Sequence, residues 1–250
     1  RDKDNIPYTV QTWYEGRECD TKSREDIVRS VQTLAKIHKS MNMPVEAPYV
    51  VRPLTEEYVR RNREIRKIRK FIRQKGAGVT FEKAYLGSVQ RFLEKGEKAL
   101  EMLTRSDYEK LLYKARKEGA LCHGEYNQHN VLLGRNHTAV TNFGHLGFDV
   151  QISDLYCFMR KILEKYNWDV SLALKMLEQY HKVRPISPEE WENLKIRFTY
   201  PEKYWKLANY YISHRKAWIS GKNTEKLEKV IGQLEIWGDF PEKCFGKYPF

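Results

Sequence analysis

The chain has 250 residues, of which 45 are Lys or Arg and 33 are Asp or Glu, so its formal net charge at pH 7 is +12. Hydrophobic residues make up 41% and aromatic residues 13%, which is too apolar for a disordered chain and predicts a globular protein with a core. The mean hydropathy is −0.72, and no apolar run approaches the roughly 20 residues of a membrane-spanning helix, so we expect no membrane span.

The first half of the chain is predicted to be mostly helical after a short β-rich opening. Residues 8–14 alternate and predict a strand that ends at a turn, Glu15-Gly16. Ser23 then precedes apolar residues at three- and four-residue steps, which predicts an amphipathic helix over 27–38. After a proline-containing loop, residues 55–75 predict a long helix with a thin apolar stripe and a basic remainder, ended by glycines at 76 and 78.

The middle of the chain has a different pattern. Short apolar runs at 120–122 and 131–133 flank a polar stretch, and a turn at 134–137 leads to a further short strand at 139–141. Further helices are predicted over 81–103, 107–117, 152–166, 170–183, 188–198, 202–219 and 224–236. The predicted fold class is therefore mainly α with a small β-hairpin (α+β).

Two further patterns allow more than one interpretation. The helix over 55–75 has nine basic and three acidic residues, and we favour a solvated surface over a polyanion-binding one. A group of six aromatic residues lies late in the chain, and we interpret most of them as core residues, with stacking on nucleic-acid bases as the alternative. They are Tyr200, Tyr204, Trp205, Tyr210, Tyr211 and Trp218.

The four cysteines lie far apart, with no C-x-x-C pair, and residues 1–5 are charged without an apolar block after them. These features predict four free thiols in a reducing cytosol and no signal peptide.

The polar stretch between the two short strands is where a catalytic loop would lie. Residues 123–130 read H-G-E-Y-N-Q-H-N, residues 140–143 read V-T-N-F, and Asp154-Leu155 follows at the start of the next helix. This order resembles small-molecule kinases, which have H-G-D-x-x-x-x-N, a strand, a turn, I/V-D-F and then D-L. The chain therefore resembles the C-terminal lobe of the aminoglycoside-phosphotransferase-like, protein-kinase-like fold.

A narrower resemblance covers nearly the whole chain. Residues 13–19, 122–132, 148–156, 160–165 and 200–206 are similar to the CotS-type bacterial spore coat proteins. The resemblance implies a place in the spore coat, synthesis in the mother-cell cytoplasm, and other coat proteins as partners. It also implies that residues 1–19 are a linker between lobes, that residues 20–250 are a helical lobe with its catalytic hairpin at about 120–150, and that the N-terminal nucleotide lobe is absent from this chain.

The resemblance assigns the catalytic positions to Glu125, His123 and Asp154, and the cofactor and magnesium positions to Asn130 and Asn142. Two of these residues depart from the kinase pattern, because Glu125 and Asn142 each stand where the family has Asp. The longer Glu125 moves the carboxylate by more than an ångström, and misplacement on that scale can cost on the order of 10² in rate. Asn142 is a neutral ligand where magnesium prefers carboxylate oxygen. Any magnesium site would therefore be weak.

Some of these residues have a structural interpretation that we prefer to the catalytic one. His123 is expected to organise the loop rather than to act as a base, and Asp154 to accept hydrogen bonds from loop amides. Zinc at Cys122, His123 and His129 lacks a fourth ligand at ordinary spacing and is not expected. Asp149 or a nucleotide phosphate is a further candidate to help hold magnesium.

The sequence thus predicts a spore coat scaffold with a degenerate phosphotransferase site, and the alternative is an active ATP-dependent small-molecule kinase of the aminoglycoside or choline kinase type. Mg and ATP are candidate cofactors of the full-length protein, and none is expected for this chain alone. The basic charge favours an anionic small molecule over a cationic aminoglycoside as ligand. A nucleic-acid-binding module ranks third, because no known motif accompanies the charge.

Overall fold

A computed structural model describes residues 3–6, 8, 12–214 and 221–250. Within these ranges the helices are α1 Arg24–Ser40, α2 Leu54–Lys75, α3 Thr80–Arg105, α4 Tyr108–Lys117, α5 Ile152–Leu163, α6 Val170–His181, α7 Pro188–Thr199, α8 Glu202–Ser213, α9 Gly221–Gly232 and α10 Leu234–Phe245. The strands are β1 Arg17–Glu18, β2 Leu121–Cys122, β3 Val131–Leu133, β4 Thr138–Val140 and β5 Gly147–Phe148.

The first two helices follow the periodicity of their sequences. Ser23 caps α1, because its hydroxyl accepts a hydrogen bond from the Asp26 amide at 3.2 Å. The predicted apolar stripe of α2 is buried, and the helix ends at Gly76, whose φ of +81° is accessible to glycine without a steric cost. The existence of both helices is therefore explained locally by caps and apolar spacing.

The helices enclose one apolar core. α2 packs along α3, α1 packs on α6, and α7 contacts α3, α4, α5 and α10. Stacked aromatic pairs join distant helices, with ring centroids 3.9 Å apart for Tyr58 with Tyr200 and for Phe92 with Tyr204. The late aromatic residues are mostly core as predicted, although Tyr210 is 46% exposed and Trp218 lies outside the described residues.

Two small antiparallel sheets flank the polar stretch in the middle of the chain. β3 and β4 form the predicted hairpin, with Val131 opposite Val140, and β1 adds a third strand with Arg17 opposite Leu133. β2 pairs with β5, with Leu121 opposite Phe148. The polar stretch at 123–130 is thus held between strands of the two sheets.

The prediction of a strand over 8–14 is wrong for residues 12–14, which lie in no strand, and residues 9–11 lie outside the described ranges. Trp13 is 87% exposed and Tyr14 is 50% exposed, so the alternating pattern has no core against which to bury one face. The strand in this region is β1, which lies directly before the buried Cys19.

The C-terminal helices also differ from the prediction. The helix predicted over 202–219 ends at Ser213, and residues 215–219 are outside the described part of the chain. The pattern over 224–236 divides into α9 and α10, and the sequence did not predict the second of these helices. α10 contains Pro241, which disfavours a helix locally, but its buried Trp237 and Phe240 anchor it to the core.

None of the helices in the described ranges combines the length and the apolarity needed to cross a membrane.

Candidate functional site

The loop at 123–130 begins where β2 ends and runs through a 3₁₀ turn into β3. Gly124 has φ +77°, and a β-carbon at this position would lie 1.9 Å from the carbonyl oxygen of His145. Only glycine fits so close an approach in this conformation. The loop is therefore packed directly against the segment that follows β4.

The carboxylate of Asp154, in the first turn of α5, holds the start of this loop. Its Oδ2 accepts a hydrogen bond from the His123 amide at 2.6 Å, and its Oδ1 accepts one from the Gly124 amide at 3.0 Å. Asp154 is only 1% exposed, so no bulk water can replace these bonds. The geometry is that of the acceptor for loop amides which the sequence suggested, and a catalytic role for Asp154 stays a prediction.

Behind Asp154 lies a histidine that the sequence analysis did not recognise as part of the site. His38 Nε2 lies 3.2 Å from Asp154 Oδ2, and its Nδ1 lies 2.7 Å from the Tyr180 hydroxyl. Burial lowers the pKa of His38, so the ring is neutral, with Nε2–H donating to the carboxylate and Nδ1 accepting from the tyrosine. The sequence signal that could have revealed this contact is the position of His38 on the apolar face of α1, which is buried in the structure.

Both ring nitrogens of His123 are occupied. Its Nδ1 accepts a hydrogen bond from the Glu125 amide at 3.2 Å, which leaves the proton on Nε2 to be donated to the Thr141 carbonyl at 2.9 Å. The side chain is buried, and its ring lies 4.7 Å from that of Phe143, centroid to centroid. These contacts link the loop to the segment after β4, which is the organising role preferred from the sequence.

Two buried asparagines fix the backbone of the loop at one point. Asn127 Nδ2 and Asn130 Nδ2 each donate to the Glu125 carbonyl oxygen at 2.9 Å. Asn127 Oδ1 in turn accepts from the His129 amide at 2.9 Å and caps the 3₁₀ turn. The backbone from which the Glu125 side chain projects is therefore rigidly placed.

The Glu125 carboxylate itself points towards the segment after β4 and is 42% exposed. Its Oε2 lies 3.4 Å from Asn142 Nδ2 and 3.5 Å from His145 Nε2. Asn142 has φ +65°, a left-handed conformation that asparagine tolerates better than most residues. The structure thus brings together Glu125 and Asn142, the two residues that depart from the kinase pattern.

This group of side chains offers magnesium only neutral ligands at the positions that the resemblance assigns to it. The ligand positions contain the amides of Asn130 and Asn142, and the Asn142 amide presents a donor, not an acceptor, to the Glu125 carboxylate. Magnesium demands anionic or neutral oxygen ligands in near-octahedral geometry. Within the described ranges, no cluster of three or more His, Cys, Asp or Glu could hold a metal.

The other candidate ligands have partners elsewhere. Asp149 Oδ2 lies 3.9 Å from Arg197 Nη2, and burial raises the pKa of this carboxyl. His129 Nδ1 lies 2.5 Å from Glu18 Oε2, on β1, the strand that pairs with β3. The sulfur of Cys122 accepts a long hydrogen bond of 3.5 Å from Ser153. No contact joins Cys122, His123 and His129 into one site.

Two comparisons with known proteins bear on the family and the fold of this chain. A family described as "Spore coat putative kinase YutH" matches residues 12–239. Among solved structures, the crystal structure of an aminoglycoside phosphotransferase from Alicyclobacillus acidocaldarius subsp. acidocaldarius DSM 446 is similar, with a TM-score of 0.82, 18% identity, and coverage of 93% of this chain and 69% of that chain. At this identity the likeness shows the fold, and the predicted kinase-like fold is confirmed. Because the family match extends over most of the chain, the chain belongs to the kinase-like family of spore coat proteins.

Proposed function

We propose that this protein is a structural component of the spore coat that has kept the kinase fold while its phosphotransfer site has become degenerate. In this proposal it is made in the mother cell and assembles with other coat proteins. The observation that carries the proposal is the contact between Glu125 and Asn142, 3.4 Å from Oε2 to Nδ2. The residue at the magnesium position, Asn142, is neutral and donates an N–H to the carboxylate at the catalytic-base position. A kinase has an aspartate there, which holds magnesium.

The alternative is an active ATP-dependent phosphotransferase for a small molecule, with Mg and ATP as cofactors. One observation favours it: the loop backbone remains held by Asp154 and by Asn130, as a working catalytic loop requires. A glutamate can also serve as a general base when its geometry is right. The two functions therefore differ in the chemistry of two side chains, not in the frame that holds them.

The test compares the full-length protein with three variants: Glu125→Asp, Asn142→Asp and the double variant. We expect no stabilisation by MgATP and no phosphate release from the unmodified protein. Because residues that act as a unit are non-additive, we expect the double variant to release phosphate at least about tenfold faster than either single variant.

The control is His123→Ala in the double variant, which breaks the link between the loop and Thr141 and should abolish the gain. Robust MgATP-dependent activity in the unmodified protein would overturn the scaffold proposal and support the enzyme.

A further inference from the structure

A strongly basic cleft lies beside the catalytic loop, between α5, α8 and α9. It consists of two adjoining cavities of about 380 Å³ and about 360 Å³, which share Lys203 and Lys226 in their walls. Gln128 and His129 of the loop line the larger cavity. The lysines that line the two cavities are Lys161, Lys165, Lys203, Lys206, Lys222, Lys226 and Lys229. We call this feature the lysine cleft.

The lysine cleft has much more basic than acidic charge. Among the described residues its walls contain seven lysines and one acidic residue, Glu164, and Glu202 beside the cleft pairs with Lys206. Seven ammonium groups against two carboxylates leave a local excess of five positive charges in a chain whose total is +12. The Glu164 carboxylate is already paired with Arg160 on the same helix and lies 3.8 Å from Lys203. Little acidic charge is therefore left over for the other lysines.

Several of these lysines lack partners inside the protein. Among the described residues, Lys161, Lys226 and Lys229 form no salt bridge and no side-chain hydrogen bond, whereas Lys206 pairs with Glu202 at 3.2 Å. Burial, together with nearby cations such as Arg160, lowers the pKa of Lys161 and of Lys203. Like charges held this close repel one another, and a multiply charged anion would relieve that repulsion.

The basic helix α2 differs from the lysine cleft in how many of its basic side chains form ion pairs. On α2, Arg60 and Arg61 share Glu57, and Lys75 pairs with the buried Glu82. The groove beside α2 is lined by Arg52, Arg60 and Arg63, and the first two of these pair with glutamates. The positive charge of α2 is thus partly neutralised within the protein, and the less neutralised charge lies in the lysine cleft.

We propose that the lysine cleft binds a small molecule that carries two or more phosphate groups. A volume of about 380 Å³ suits a small-molecule ligand. The basic residues in the described part of the walls are lysines, whose compact ammonium groups bind phosphate as point charges. A ligand with several phosphates supplies the several negative charges that such a group of lysines can neutralise. The inference goes beyond the proposed function, because this binding requires no phosphoryl transfer.

The test is calorimetric titration of the full-length protein with tripolyphosphate at low salt, without nucleotide or magnesium. We expect saturable binding that weakens as salt is added. In the variant Lys161→Gln/Lys203→Gln/Lys226→Gln we expect the dissociation constant to rise at least about tenfold. The matched control is Lys67→Gln/Lys70→Gln/Arg73→Gln on the exposed face of α2, which removes the same charge and should change the constant less than about twofold.

Three results would each overturn the proposal: no saturable binding, an equal loss in both triple variants, or tighter binding of citrate than of tripolyphosphate. If the triple variant in the cleft does not fold, the single variant Lys226→Gln, on the exposed side of α9, takes its place in the titration. We expect its affinity for tripolyphosphate to be about two- to fivefold lower than that of the unmodified protein. Since the titration contains no MgATP, its failure leaves the proposed scaffold role unaffected.

Discussion

Asp154 is the shared acceptor for three donors, so its replacement is the sharpest test of how the loop is held. Asp154→Ala removes the acceptor of the His123 amide, the Gly124 amide and His38 Nε2. A buried donor left unsatisfied costs about 1–3 kcal/mol. The alanine variant leaves the buried His123 amide and His38 Nε2 without their acceptor, and the Gly124 amide loses its bond at a partly exposed position. We therefore expect the free energy of unfolding to fall by about 3–5 kcal/mol in the alanine variant.

Asp154→Asn separates hydrogen bonding from side-chain volume. The amide keeps one acceptor oxygen, and His38 can change tautomer to accept from the new N–H while donating to Tyr180. One loop amide remains unsatisfied, so the expected loss is about 1–3 kcal/mol. Urea unfolding at pH 7.5 measures both variants against Asp239→Ala, an exposed salt-bridge residue for which we expect a loss below about 1 kcal/mol. Equal losses in the alanine and asparagine variants, or a loss below about 1 kcal/mol in alanine, would refute this account of the loop.

Three further outcomes follow from the structure. Gly124→Ala should destabilise the protein by at least about 2 kcal/mol, because φ is +77° and the new β-carbon would meet the His145 carbonyl. The control, Gly87→Ala in an open part of α3, should stabilise the protein by about 0.5–1 kcal/mol. Urea unfolding measures the change in the free energy of unfolding for both variants. Burial lowers the pKa of His38 below 6.5, so the unfolded chain binds a proton at this histidine more tightly than the folded chain does. The contribution of His38 to stability is therefore fully present above about pH 6.5, and below that pH the free energy of unfolding falls by up to about 1.4 kcal/mol per pH unit. An equally steep fall in a His38→Gln variant would contradict this prediction. Burial raises the pKa of every cysteine, so a thiol reagent should react slowly with the native protein and modify four thiols after denaturation. Fewer than four modified thiols would argue against free cysteines. The four are Cys19, Cys122, Cys157 and Cys244.

Much of the helical architecture could be predicted from the sequence, because caps and apolar spacing act within one helix. Ser23 at the start of α1 and Gly76 at the end of α2 are local signals of this kind. The loop at 123–130 was also recognisable, since its chemistry lies within one short stretch. α10 was not predicted, because Pro241 disfavours it locally and its contacts with α6, α7 and α9 stabilise it.

The candidate site depended on tertiary structure wherever its partners are far apart in sequence. His38 reaches Asp154 only because α1 packs against α5, and Glu125 meets Asn142 only because the segment after β4 folds back on the loop. The lysine cleft likewise combines side chains from α5, α8 and α9, and sequence alone placed the basic surface on α2. Periodicity and motifs predict which residues are neighbours within one helix, strand or loop. Which charges pair depends instead on which helices and strands the core brings together, and the tertiary structure alone shows this.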